Sequence, residues 1–107
     1  MGKATLQVFL TASAGEDLDE IAIYWSERGE PERGEKYAED LHNAATAKLA
    51  DSDTALRGKV FVGDGPEAIR EFSVFKRAYR IFYTVDERAR RVEVLRFWHS
   101  HRDEPEL

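Results

Sequence analysis

The chain has 107 residues, 42% of them hydrophobic, and a formal net charge of −5. That length suits one compact domain over residues 1–107, and the absence of cysteine excludes disulfides, thiolate metal ligands and thiol nucleophiles. An acidic chain is a poor general binder of nucleic acid, because neutralising many phosphates dominates that affinity.

The residues Met1–Leu6 lack an apolar stretch of signal-peptide length, and no run approaches the roughly 20 apolar residues of a membrane span. Leu6 stands where a myristoylation signal would carry Ser or Thr. The expectation is a cytoplasmic protein with no membrane partner. Its charge is divided: residues 1–54 hold 5 basic and 12 acidic side chains, residues 55–107 hold 11 and 9. Within Arg70–Arg102 there are 9 basic and 4 acidic side chains, which predicts a local positive field on an acidic molecule.

Leu6, Val8 and Leu10 alternate with Gln7, Phe9 and Thr11, the period of a strand. Ser13 and Glu16 have the spacing of a capping box, so a helix is expected to start there, with Glu16, Asp17, Asp19 and Glu20 crowding its first turn. Leu18, Ile21, Ala22 and Trp25 give it one apolar face. Gly29 stops it, and Pro31 fits the first turn of a second helix, where its missing N–H is not needed. Tyr37, Leu41, Ala45 and Leu49 form the buried stripe of that helix, which frays near Asp51-Ser52-Asp53.

Residues 57–68 are rich in breakers and read as a loop with a short extended piece at Lys59–Val62. Three strands follow, Ile69–Phe75, Tyr79–Val85 and Arg91–His99, joined by hairpin-length turns and therefore antiparallel in order. The order β-α-α-β-β-β predicts an α+β fold, an N-terminal helix hairpin packed on a mainly antiparallel four-stranded sheet. In the last strand Val92, Val94, Arg96 and Trp98 fall on one face and Glu93, Leu95, Phe97 and His99 on the other. Neither face is cleanly polar, so something is expected to cover the second.

Three features together resemble the toxins of the ParE/RelE superfamily, and the ParE branch in particular. They are the leading strand and acidic helix hairpin with Trp25 and Tyr37, the run Tyr79-Arg80-Ile81-Phe82-Tyr83, and the ending Val92-Glu93-Val94-Leu95-Arg96-Phe97-Trp98-His99 followed by Arg102-Asp103. The resemblance implies the toxin of a type II toxin–antitoxin pair, of the kind that stabilises plasmids, neutralised by a cognate antitoxin. For the ParE branch it implies inhibition of DNA gyrase; for the RelE branch, ribosome-dependent cleavage of messenger RNA; a third reading is a non-toxic module that survives as a co-repressor. In all three, Arg70, Arg77, Arg80, Arg96, Phe97, Trp98, His99 and Arg102 are the candidate contacts for antitoxin or target. Operator DNA is expected to be reached only through the antitoxin, in a homo-oligomer or a hetero-oligomer with it.

RNA cleavage needs a base, an acid and cations on phosphorus. The resemblance assigns these roles to Arg80, on phosphate, and His99, moving a proton. RelE-like enzymes add lysines and a tyrosine near the C-terminus, whereas this chain ends Arg102-Asp103-Glu104-Pro105-Glu106-Leu107. The plainer alternatives are an Arg80 paired across the sheet with Glu93 or Glu71, and a structural or interface His99. His99 and His101 without a third ligand do not make a metal site. No cofactor is expected, His42 reads as a solvated surface residue, and Trp25 and Tyr37 read as helix packing.

Overall fold

The computed structural model describes residues 5–107; the reading of Met1–Ala4 lies outside them. Strand β1 (Gln7–Leu10) leads into helices α1 (Ala12–Glu27) and α2 (Pro31–Leu49). A short α3 (Ser52–Leu56) precedes β2 (Lys59–Val62), and β3 (Ile69–Val74), β4 (Tyr79–Asp86) and β5 (Arg91–His99) complete the chain's order. The sheet runs β1-β5-β4-β3-β2, antiparallel except that β1 lies parallel to β5. This is the expected α+β arrangement with one more strand, because the extended piece at Lys59–Val62 pairs with β3 as an edge strand.

Local chemistry explains most boundaries, and corrects two of them. The N-cap of α1 is Thr11, whose hydroxyl accepts the Ala14 N–H, so Ser13 lies inside the helix and the four acids stand beyond its first turn. The chain does not fray after α2: Asp51 caps α3 by accepting the Asp53 N–H. Gly29 (φ 78°) ends the first helix in the left-handed conformation, and Pro31 opens the second, as expected.

Gly34 is what lets the hairpin close. A Cβ there would stand 2.8 Å from the Ala22 carbonyl oxygen and 2.9 Å from Trp25 Cβ. With that approach, Trp25 and Tyr37 stack at 5.8 Å with their planes 13° apart, the helix packing expected of them. Leu41, Ala45 and Leu49 of α2 are fully buried against Ile81, Tyr83, Val92, Val94 and Phe97 of the sheet. The stripe on α1 is shallower: Leu18, Ile21, Ala22 and Trp25 are half-buried, and its deeply buried residues are Ala14 and Asp17.

Asp17 is buried because β1 stops short. Its last partner on β5 is Val94, so the β5 edge beyond has no neighbouring strand. Helix α1 takes the place of one. Thr11 Oγ1 donates to the carbonyls of Val94 and Leu95, and the Asp17 carboxylate accepts the Phe97 N–H at 3.0 Å. The same carboxylate accepts Arg96 Nε and Nη2, each at 2.8 Å, and this bidentate pair holds the Arg96 charge firmly, raising its pKa.

Between Phe82, opposite Arg96, and Tyr83, opposite Val94, the register slips and leaves Leu95 unpaired. The slip reverses the alternation. Val92, Val94 and Phe97 join the helix-side core, while Trp98 stands opposite Arg80 on the other face. The face reading of the last strand is corrected accordingly: Phe97 does not share a face with Glu93.

Tyr83 closes the core near α3, donating its O–H to the Ala55 carbonyl at 2.6 Å. Burial is the main cause that pushes its pKa from 10 up to about 12. A group whose folded pKa is raised stabilises the fold below its unfolded pKa and loses that contribution as pH rises through the folded value. Relative to Tyr83→Phe, the native chain is therefore expected to lose about 2 kcal/mol between pH 10 and pH 12. Urea midpoints at both ends measure this, and parallel curves for the two proteins would contradict it.

Candidate functional site

Between helix α1 and the end of β5 lies a groove of about 430 Å³. Ile21, Tyr24 and Trp25 form its helical wall, Tyr79 and Phe97 its floor, and Glu20, His99 and Arg102 its charged or polar rim. Ile23 and Tyr24 are 55% and 48% exposed, so apolar surface continues from the groove onto the outside of α1. The Arg28 guanidinium lies 3.5 Å from the centre of the Tyr24 ring. Tyr79 packs edge-on against His99, with centroids 5.1 Å apart, and burial raises the pKa of its hydroxyl.

His99 Nδ1 accepts the His101 backbone N–H at 3.2 Å, so a neutral ring carries its proton on Nε2. The two imidazoles lie 5.0 Å apart. Among the described residues no group of three or more His, Cys, Asp and Glu side chains is placed to hold a metal. The groove thus offers apolar and aromatic walls, an imidazole donor and a guanidinium, chemistry that receives a bulky apolar side chain beside a carboxylate.

The opposite face of the sheet carries Arg80. Its Nε and Nη2 donate to the two oxygens of Glu71, each at 3.0 Å, and its Nη1 and Nη2 donate to Glu104 at 2.6 and 3.2 Å. These two carboxylates, Glu104 first, raise the pKa of Arg80, and Arg80 depresses that of Glu104 in return. Beside it Phe82 is fully buried, flanked by Phe61 at 4.7 Å and by the Arg80 guanidinium at 4.8 Å. Trp98 is 8% exposed. Its Nε1–H donates to the Asp103 carbonyl at 2.6 Å, and Arg102 lies over its ring at 3.8 Å. What covers this face is therefore the chain's own C-terminal segment.

The expected candidates do not form one patch. Arg80 pairs in register with Trp98 and Tyr79 with His99, so Arg80 and His99 project from opposite faces of the sheet. Arg70 is turned to the helix side and donates to the Gly58 carbonyl at 2.8 Å. Arg77 is exposed in the β3–β4 turn, where Phe75, Lys76 and Arg77 all have positive φ and Ser100 Oγ donates to the Arg77 carbonyl. Arg96 is committed to Asp17, and Phe97 is core that also floors the groove. Only His99 and Arg102, of the expected polar candidates, line the groove. Ile21, Tyr24 and Tyr79 were not anticipated there. The available signal was Ile23-Tyr24, two large apolar residues lying off the buried stripe of an acidic helix.

Residues 8–104 match the family model described as the ParE toxin of type II toxin–antitoxin system, parDE. The chain belongs to the ParE toxin family. Its fold is similar to a chain of the chromosomal ParDE toxin–antitoxin system from P. aeruginosa, with a TM-score of 0.68 and 19% identity over 89% of this chain and 96% of that one. It is also similar to a chain of the RelBE2 toxin–antitoxin complex from Mycobacterium tuberculosis, with a TM-score of 0.60 and 21% identity over 90% and 99%. No curated protein matches the sequence at a significant level. This ParE-family chain is thus a toxin of the ParE/RelE type, and among its described residues no helix is long and apolar enough to cross a membrane.

Proposed function

We propose that this toxin acts without chemistry of its own, by binding DNA gyrase and blocking it. The observation that carries the reading is the placement of Arg80 and His99. A phosphate-binding cation and a proton-transferring imidazole must reach one scissile phosphodiester, and here they point away from each other across a sheet. Arg80 is further engaged by the shielded carboxylate of Glu71. Membership of the ParE family supports the same target.

Neutralisation falls to a cognate antitoxin, whose amphipathic segment lays its apolar side chains in the α1–β5 groove and a carboxylate against His99 and Arg102. The exposed Ile23 and Tyr24 extend that surface. Promoter DNA is reached through the antitoxin, in a hetero-oligomeric complex in the cytoplasm, and the pair serves to stabilise the replicon that carries it. The solved structures it resembles are of toxin–antitoxin systems, which supports such a partner.

A pulse of expression in bacteria lacking the antitoxin, with thymidine and methionine incorporation followed separately, tests the target. DNA synthesis is expected to fail first. Protein synthesis failing first would assign the toxin to messenger RNA, and growth unaffected by high expression would leave only a co-repressor role.

A further inference from the structure

The segment 102–107 is held as a bound peptide is held. The Trp98 indole N–H donates to the backbone carbonyl of Asp103, the Arg80 guanidinium takes the carboxylate of the next residue, Glu104, through two N–H donors, and Pro105 after it is buried. A main-chain acceptor read by an indole, an acidic side chain read by a guanidinium fork and a buried proline are three successive positions of an extended acidic sequence. Glu71, half-buried against Arg80, accepts Nε and Nη2 and sets the guanidinium in the plane that receives Glu104.

We infer that the Arg80–Trp98 face is a recognition site for an extended acidic peptide segment, and that the chain's own C-terminal segment masks it as a removable latch. The site lies on the sheet face opposite the α1–β5 groove and shares one residue with it, Arg102, which lies over the Trp98 ring and also lines the groove. The latch is built to yield. The Arg80–Glu71 pair is shielded, with side chains 16% and 13% exposed, whereas Glu104 is 64% exposed, and exposed ion pairs contribute little to stability. A partner segment of the same chemistry competes with the latch, and its apparent affinity is its intrinsic affinity multiplied by the fraction of molecules that are open.

The test uses the full chain with 15N-labelled tryptophan, the two indole resonances being assigned with Trp25→Phe. The probe is a synthetic peptide of residues 100–107 added in trans, with its Glu104→Lys version and a single-stranded oligonucleotide as comparisons. In Glu104→Gln, hydrogen exchange at the Trp98 indole is expected to speed up about two- to fivefold, the scale of an exposed ion pair. The native peptide is then expected to bind this variant more tightly than the wild-type chain by about the same factor and to restore protection. A wild-type indole that already exchanges as fast as in the variant would overturn the latch. Equal binding of the Glu104→Lys peptide, or oligonucleotide binding in place of the peptide, would overturn the acidic-peptide specificity.

Discussion

Asp17→Ala is expected to destabilise the protein by about 3 kcal/mol, the lower part of the range for breaking a buried ion pair. The lower part applies because Asp17 is buried while the Arg96 side chain is 27% exposed, so water rehydrates part of the abandoned guanidinium. The loss has a second component, since the Phe97 N–H at 3.0 Å from Asp17 Oδ2 is left without an acceptor on an edge that β1 does not reach. Asp17→Asn keeps one acceptor oxygen for that N–H and Arg96 Nε but gives up the charge and turns an amide donor toward Arg96 Nη2, so its loss is expected to be smaller than that of Asp17→Ala without vanishing. Thermal melting measures both. A change of 3 kcal/mol corresponds to a fall of more than about 10 °C for a domain of this size. A fall of only a degree or two for Asp17→Ala would show that the pair is no more than a surface contact.

Gly58→Ala is expected to rival it, at about 3 kcal/mol. The added methyl would lie 1.8 Å from Tyr83 Oη and 2.8 Å from Cζ, with the Glu71 carbonyl 3.3 Å away on the other side. Tyr83 is fully buried and its O–H is bound to Ala55, so the ring has no free direction in which to give. Overpacking of this kind costs about 1–3 kcal/mol, and a buried hydroxyl pulled from its acceptor about as much again. Introducing Gly58→Ala in a Tyr83→Phe background removes the nearest clashing atom. The two losses are then expected to sum to more than the loss in the double variant, and strict additivity in urea unfolding would contradict the contact.

Both effects rest on features that local sequence does not disclose. Asp17 stands among Glu16, Asp19 and Glu20, and nothing in that run marks it as the buried one, because its partners Arg96 and Phe97 lie 79 and 80 residues away. Gly58 reads as a loop breaker, and only the position of Tyr83 makes it a required absence of side chain. By contrast, the α2 stripe, the Gly29 and Pro31 boundaries and the three C-terminal strands follow from periodicity and turn chemistry that each segment carries within itself. Helix α3 is five residues long, too short for an apolar period, and β2 is a four-residue edge strand that gains its identity only by pairing with β3.

The site divides along the same line. That Arg80 and His99 are candidates was legible from their place in a family-like run; that they face apart was not, because it depends on the register of β4 against β5 and on the bulge at Leu95. The pairing of Arg80 with Glu71 was one of two alternatives open in the sequence, and Glu104 was hidden in a tail without periodicity. The groove escaped for a similar reason. It lies between α1 and residues of β4 and β5 far away in the chain, a relation no single segment carries.

Gyrase supercoiling in the presence of the purified, folded toxin, free of antitoxin, tests the target most directly. Supercoiling is expected to be lost with rising toxin concentration, by His99→Ala as well as by the native chain, and to recover when the antitoxin is added. Full gyrase activity at saturating toxin, together with cleavage of messenger RNA on translating ribosomes that His99→Ala abolishes, would contradict that target.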